Sequence, residues 1–342
     1  MGPRCSKPLR GTTPVWNPLS DLRERIQGAG GFVNAHAHFD RAYSVSMADF
    51  GGEKSNVESH LHEKWKLVDA FKARSSEEDY YRHIVSALGA QARQGVQAAL
   101  SFIDCDPVAG DRALKAALRA KEHAAKELKM RFLIASQTLK GVLDAAPREM
   151  FEKSLPFVDV IGGLPGADKG REAEHLDVLL RAVKATGKRA HIHVDQLNSA
   201  DEKETETLCR KIVEHGVEGL VTAVHGVSIA AHPKAYREEV YRMCLDAGLS
   251  FVACPTAWID ARRNETLAPS HNAVTPFDEM LPRGITVALG SDNICDVYKP
   301  FADGDMFTEL RVLLESTHVY DASALVNVAV ANGRKVLGLG HV

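Results

Sequence analysis

The sequence predicts an α/β protein built as one (β/α)8 barrel. Three observations lead there. Short, nearly unbroken apolar runs recur eight times. Between them lie stretches with apolar residues at three- and four-residue spacing, and several of these stop at a glycine. Eight alternating strand–helix units of this kind close into a barrel whose strands are covered on both faces. A doubly wound open sheet is the runner-up, but no glycine-rich phosphate loop follows a strand: Gly162-Gly163 precedes Pro165 and makes no dinucleotide fingerprint.

The predicted strands cover residues 32–38, 98–104, 131–138, 158–164, 189–195, 219–225, 249–254 and 286–292. The predicted helices cover 77–94, 112–128, 172–186, 200–215, 234–247, 277–283 and 306–317, and residues 322–342 read as a last helix ending near Gly338. Three connections are long, at 41–76, 256–275 and 293–305, and each follows a strand. In a barrel they therefore gather at the catalytic face, as lids or pocket walls. Residues 1–30 are expected to form an N-terminal flap or to pack across the barrel bottom. Residues 31–342 are expected to form the barrel itself, with little or no accessory β-sandwich.

Composition narrows the function classes. With 45% hydrophobic and 25% charged residues and a formal net charge of -3, the chain is an ordinary globular protein. No basic run would track a nucleic-acid backbone, and no segment approaches the ~18 apolar residues of a membrane span. The Met-Gly start resembles a myristoylation signal only superficially, with no second anchor, and the basic N-terminus lacks the apolar core of a secretory signal. The six cysteines are scattered without paired spacing, which fits reduced thiols in a cytoplasmic protein. Cys105, Cys254 and Cys295 read as small buried hydrophobes. The partner expected is a small molecule, with neither nucleic acid nor membrane involved and self-association open.

The chemistry is carried by strand ends. Residues 31–38 read GFVNAHAH. Because side chains alternate along a strand, His36 and His38 point the same way and present two neutral nitrogens to one ion. Strand five, RAHIHVDQ, adds His193 or His191; strand six ends in His225 and strand eight in Asp292. In a barrel these ends meet, as a ligand set for a divalent metal with one position left for water.

That order of residues resembles the amidohydrolase superfamily, and within it the cytosine-deaminase-like branch. The resemblance runs through HAHFDRA, SQTLKGV, HVDQ, VTAVHGVS and GSDNICDVYKPF, nearly the whole barrel. It implies that His36, His38, His193 and Asp292 hold the metal, that His225 orients or protonates the reacting centre, and that Gln137 bonds the substrate ring. Two departures stand out. Gln196 occupies the place of a glutamate that shuttles protons in deaminases of this branch, and a glutamine does not titrate. Asn293 stands where cytosine deaminases tend to carry a second acid. Strand four, VIGGLPGA, lacks a lysine to bridge two metals, and Lys169 lies too far along. One divalent ion is therefore expected, zinc or ferrous iron.

The expected chemistry is hydrolysis of a C–N bond in a small nitrogen heterocycle, cyclic amide or imide opening being favoured over deamination. The ion lowers the pKa of water toward ~7. Asp292 takes a proton, His225 steadies the oxyanion, and one of the two protonates the leaving nitrogen. Gln196 completes the catalytic set, and Gln137, Gln196, Trp258 and Asp296 are expected to touch substrate. The competing reading is a catalytically silent relative that binds a ligand. A nicotinamide-dependent barrel is disfavoured, because GSDN stands where a phosphate loop would lie.

Other residues have plainer readings. His191 lies deeper on strand five as a core histidine. His60 and His62 diverge on a predicted helix, SHLHEKWKLVDAF. Trp65 reads as a surface residue that could reach substrate. Asp195 bonds strand-end backbone. Asp40 and Arg41 either shape the pocket or form a structural ion pair. Arg262 and Arg263 read as solvated charge, Tyr298 as a weaker candidate at the pocket mouth, and Glu309 as a solvated helix residue.

Overall fold

The computed structural model describes residues 17–46, 61–137, 139–257 and 273–340. Helix α1 (Pro18–Gly28) comes first. It starts where the Asn17 side chain accepts from the Ser20 amide and packs against α11 (Ala322–Ala329). Then come β1 (Phe32–Ala37), α2 (Leu61–Arg74), α3 (Glu77–Arg93), β2 (Val96–Asp104), α4 (Arg112–Lys126), β3 (Arg131–Gln137), α5 (Ala145–Ser154), β4 (Ile161–Gly163) and α6 (Glu172–Thr186). They are followed by β5 (Ala190–Val194), α7 (Glu204–His215), β6 (Val221–His225), α8 (Lys234–Asp246), β7 (Ser250–Ala253), α9 (Phe277–Met280), β8 (Val287–Leu289) and α10 (Met306–Thr317), and after α11 by α12 (Ala331–Val336).

All strand pairs are parallel. They form two runs, β1-β2-β3 and β4-β5-β6-β7-β8, joined by single bridges between Ala135 and Val160 and between Ala37 and Asp292. The eight predicted strands are all present in this ring. Glycines allow the close approaches at its seams. A Cβ on Gly162 would lie 1.7 Å from the Ser136 carbonyl oxygen, which accounts for the Gly162-Gly163 pair at the β3/β4 seam. One on Gly290 would lie 2.8 Å from the His36 Cβ, at the β8/β1 seam.

Two apolar layers result. Ile134, Ile161, Ile192, Ala223, Phe251 and Leu289 pack outward against the helices, while Val33, Ala35, Leu100, Leu133, Val224, Val252 and Ala288 fill the interior with Val336 of α12 and Leu337 just past its end. Thus α12 closes the end of the barrel opposite the strand C-termini. The predicted single tail helix is two, broken at Val330, where the backbone leaves helical geometry (φ -128°, ψ -77°). Helix α5 has no counterpart in the sequence reading: Pro147 and a short stripe of buried Pro147, Phe151 and Ser154 gave it weak periodicity. The predicted helix over 200–215 starts later, at Glu204, because residues 195–203 are spent on a bonded loop. No helix among the described residues is long and apolar enough to cross a membrane.

Candidate metal centre and pocket

Strand ends deliver the expected side chains to one place. His36 is the penultimate residue of β1; His38 lies just past its end and opens a short 3-10 turn. The β1–β2 register slips between Asn34 and Ala37, so the pair departs from simple strand alternation. The two rings lie edge to face, 4.9 Å between centroids. His193 on β5 lies 4.8 Å from His36, and His225, the last residue of β6, lies 5.5 Å from His193 by the same measure. Asp292 follows β8, with its amide and that of Ser291 donating to the His36 carbonyl. Its Oδ1 lies 3.3 Å from His36 Nε2 and 3.2 Å from His38 Nε2. Phe102 of β2 packs against His36 and His193 as an apolar floor.

The donor set fits a metal. The ligand atoms of His36, His38 and His193 lie within 4.8 Å of one another, as do those of His36, His225 and Asp292. Both nitrogens of His36, His38 Nδ1 and Asp292 Oδ1 are buried without a hydrogen-bond partner, a costly state that a cation would relieve. The His193 Nδ1 lies 3.1 Å from the Gly163 carbonyl. Only a protonated Nδ1 can donate there, which leaves the Nε2 lone pair for a ligand. Burial pushes His36 and His38 down to about 3, neighbouring Arg41 adding to the effect on His38, and pushes His193 well below its ordinary value. His225 is lowered by burial as well, which favours the uncharged imidazole with one N–H. Burial opposes ionisation of Asp292, but the adjacent His36 and His38, with His225 beyond them, outweigh it and hold the carboxyl well below the usual range.

A pocket opens over this set, lined by Gln137, Gln196, Trp65, Arg41, Asn293 and Tyr298 among others. Gln137, at the end of β3, has its Oε1 buried and unpartnered. Gln196 lines the wall where an acid was expected in the family pattern, and Trp65 of α2 faces the pocket instead of the surface. Trp258, Arg262, Arg263 and His60 lie outside the described residues. Asp296 is fully buried behind the wall and not in it, accepting from Asn293 Nδ2 and from the amides of Tyr298 and Lys299. Asp195 bonds not strand-end backbone but the first turn of α7, accepting from the amides of Glu204 and Thr205, and His191 Nε2 reaches the Val336 carbonyl at the closed end.

Glu309 overturns its solvated reading. It is buried, and its carboxylate takes the Thr256 amide and hydroxyl beside Lys299. A larger surprise is the cluster behind Arg41. Lys72 of α2 bonds Asp106 and lies 3.3 Å from Asp104, while Arg41 lies 3.6 Å from Asp104 and 3.3 Å from Asp296. Its traces in the sequence are the Asp40–Arg41 pair, which does both things read for it, lying 3.9 Å apart with Arg41 lining the pocket, and the acidic end of strand two, SFIDCD.

The amidohydrolase family model matches residues 30–342. The chain belongs to the amidohydrolase family. It is accordingly a hydrolase of carbon–nitrogen bonds other than peptide bonds, with the family's dependence on metal. It is 45% identical over 264 residues to an uncharacterised protein of Haemophilus influenzae, covering 76% of this chain and 94% of that one. It is 24% identical over 317 residues to N-isopropylammelide isopropyl amidohydrolase of a Pseudomonas species, covering 90% and 74%. The crystal structure of 5-methylcytosine deaminase from Klebsiella pneumoniae superposes with a TM-score of 0.81 at 24% identity, covering 90% of this chain and 75% of that one. That likeness establishes the fold.

Proposed function

We propose that this amidohydrolase cleaves a C–N bond of a small nitrogen heterocycle, with one divalent ion, zinc or ferrous iron, held by His36, His38, His193 and Asp292. The observation that carries the reading is the convergence of these four side chains with His225, their facing atoms buried and unpartnered. Names among the relatives agree with it: one is an ammelide amidohydrolase and another a pterin deaminase, both acting on nitrogen heterocycles.

When bound, the ion supplies Lewis acidity and a nucleophilic water at neutral pH. The chain's own residues do the rest. Asp292, ionised, accepts the proton the water gives up. His225, uncharged, donates its N–H to the oxygen that gains charge as the carbon turns tetrahedral. Asp292 then returns its proton to the leaving nitrogen, since Gln196 has none to give. Gln137 and Gln196 hold the ring by amide hydrogen bonds. This division of work favours opening a cyclic amide over loss of ring ammonia.

The test is metal analysis with turnover of a panel of pyrimidines, triazines and lactams, following ammonia and ring-opened product separately. Ring-opened product with no ammonia is expected, and Gln196→Glu should shift the balance toward ammonia. Absence of turnover by fully metallated protein across the panel would support the silent, ligand-binding alternative.

A further inference from the structure

Arg41 is buried at 3% exposure, yet its Nε and Nη1 make no hydrogen bond. Carboxylates surround it at 3.3 Å (Asp296), 3.6 Å (Asp104) and 3.9 Å (Asp40), close enough to balance charge but misaligned for bonding. With Nε and Nη1 enclosed, Nη2 is the nitrogen that meets the pocket Arg41 lines. Asn293 lines the same pocket, and its Nδ2 donates to Oδ2 of Asp296, the oxygen nearest Arg41 Nε. A carboxylate only accepts, so the Asn293 amide must turn its nitrogen inward, which leaves Oδ1 as an acceptor on the pocket side.

One carboxylate oxygen thus holds a donor and an acceptor side by side. Charge sets the second constraint. Two cations, Arg41 and Lys72, face four carboxyl groups, Asp40, Asp104, Asp106 and Asp296, enough to compensate both cations even with Asp40 protonated. Arg41 is therefore no free receptor for an anion. A neutral carbonyl oxygen fits it, and an adjacent ring N–H fits Asn293.

We propose that Arg41 and Asn293, both seated on Asp296, are specificity-determining residues that read the lactam edge, C=O beside N–H, of an uncharged ring and reject rings bearing a carboxylate. The proposal deepens the hydrolase reading and rests on it for where the ring sits. Arg41 and Asn293 select; Asp296 is a positioning residue.

The probes are uracil, 1,3-dimethyluracil and orotate, titrated calorimetrically into the metallated wild-type protein. They differ in the N–H donors and in a carboxylate. Uracil should bind at least about tenfold more tightly than either of the others, the discrimination expected when buried polar groups are left unpaired. Asn293→Leu should bring uracil and dimethyluracil to equal affinity, and Arg41→Lys should weaken uracil while leaving the metal content unchanged. Arg41→Met strands three acids and is expected to fold poorly, so Arg41→Lys carries the test. Orotate binding as well as uracil, no binding of uracil, or unaltered preferences in Asn293→Leu and Arg41→Lys would each overturn the proposal. Binding is read without turnover. Failure of the hydrolysis panel with the uracil preference intact therefore sinks the activity alone, whereas turnover with no preference sinks this inference alone.

Discussion

Two buried polar clusters sit at the same end of the barrel, and they are built on opposite principles. Around Asp292, four imidazoles meet one carboxylate, and burial keeps at least three of those rings uncharged: the cluster brings ligands and no cation. Around Asp104, the chain supplies both signs itself, with Lys72 and Arg41 among Asp40, Asp104, Asp106 and Asp296. Burial pushes Lys72 down, but Asp104 and Asp106 outweigh it and keep the lysine charged. Asp40 is pushed up to about 7 by burial first and by neighbouring Asp104 second, against the pull of Arg41 and Lys72. Unsatisfied atoms in the first cluster mark a site for something the chain does not contain; in the second they mark a wall that is neutralised but retains N–H groups to offer.

Breaking each cluster should therefore have different consequences. Removing a group from the first should abolish chemistry with little effect on folding. Asp292→Asn is expected to lower kcat/KM by ~10³-fold or more, about 4 kcal/mol, and to lower metal content, while the metal-free variant melts near metal-free wild type. Cutting the second should do the reverse. Lys72→Met strands Asp104 and Asp106 and is expected to cost ~3–5 kcal/mol in denaturant unfolding, with metal still bound stoichiometrically by the folded fraction.

Acid sharpens the contrast. His36 and His38 titrate at 6.5 when unfolded and at about 3 when folded, so the unfolded chain binds their protons more readily. The stability they contribute is complete above pH 6.5 and is lost as pH falls toward about 3. Metal-free protein should lose ~1.4 kcal/mol per pH unit for each of the two across that window, read from denaturant midpoints. His36→Asn should flatten the slope by one proton. Glu309→Gln, which leaves Lys299 with a neutral partner and turns one acceptor for Thr256 into a donor, should cost only about 1–2 kcal/mol.

The first cluster was legible in the sequence because barrel topology converts order along the chain into position. A histidine or aspartate at the C-terminal end of a strand reaches the common pocket where its side chain turns inward, as His193, His225 and Asp292 do and Asp104 and Asp195 do not. The second was legible only in part: Asp40 and Arg41 suggested an ion pair, but Lys72, Asp104, Asp106 and Asp296 join them only through tertiary packing. Lys72 sits on an amphipathic helix where a lysine ordinarily reads as solvated, and it is buried because α2 lies across the end of β2. Glu309 was misread for the same reason: its partners, Thr256 and Lys299, belong to connections after strands seven and eight. Asp296, expected against substrate, stands one layer back because Asn293 and Arg41 occupy the wall. Helix α5 escaped because a short helix carrying a proline shows little periodicity.

The central claim is that the imidazoles and Asp292 hold one divalent ion without which the protein has no activity. Elemental analysis of the purified wild type, before and after exhaustive chelation and after adding back zinc or ferrous iron, tests it directly. About one ion per chain, activity lost with the ion and restored by it, and a raised melting temperature on reloading are predicted. Full activity in chelated protein containing no metal, or an ion still bound stoichiometrically after His193→Ala and Asp292→Asn are combined, would contradict it.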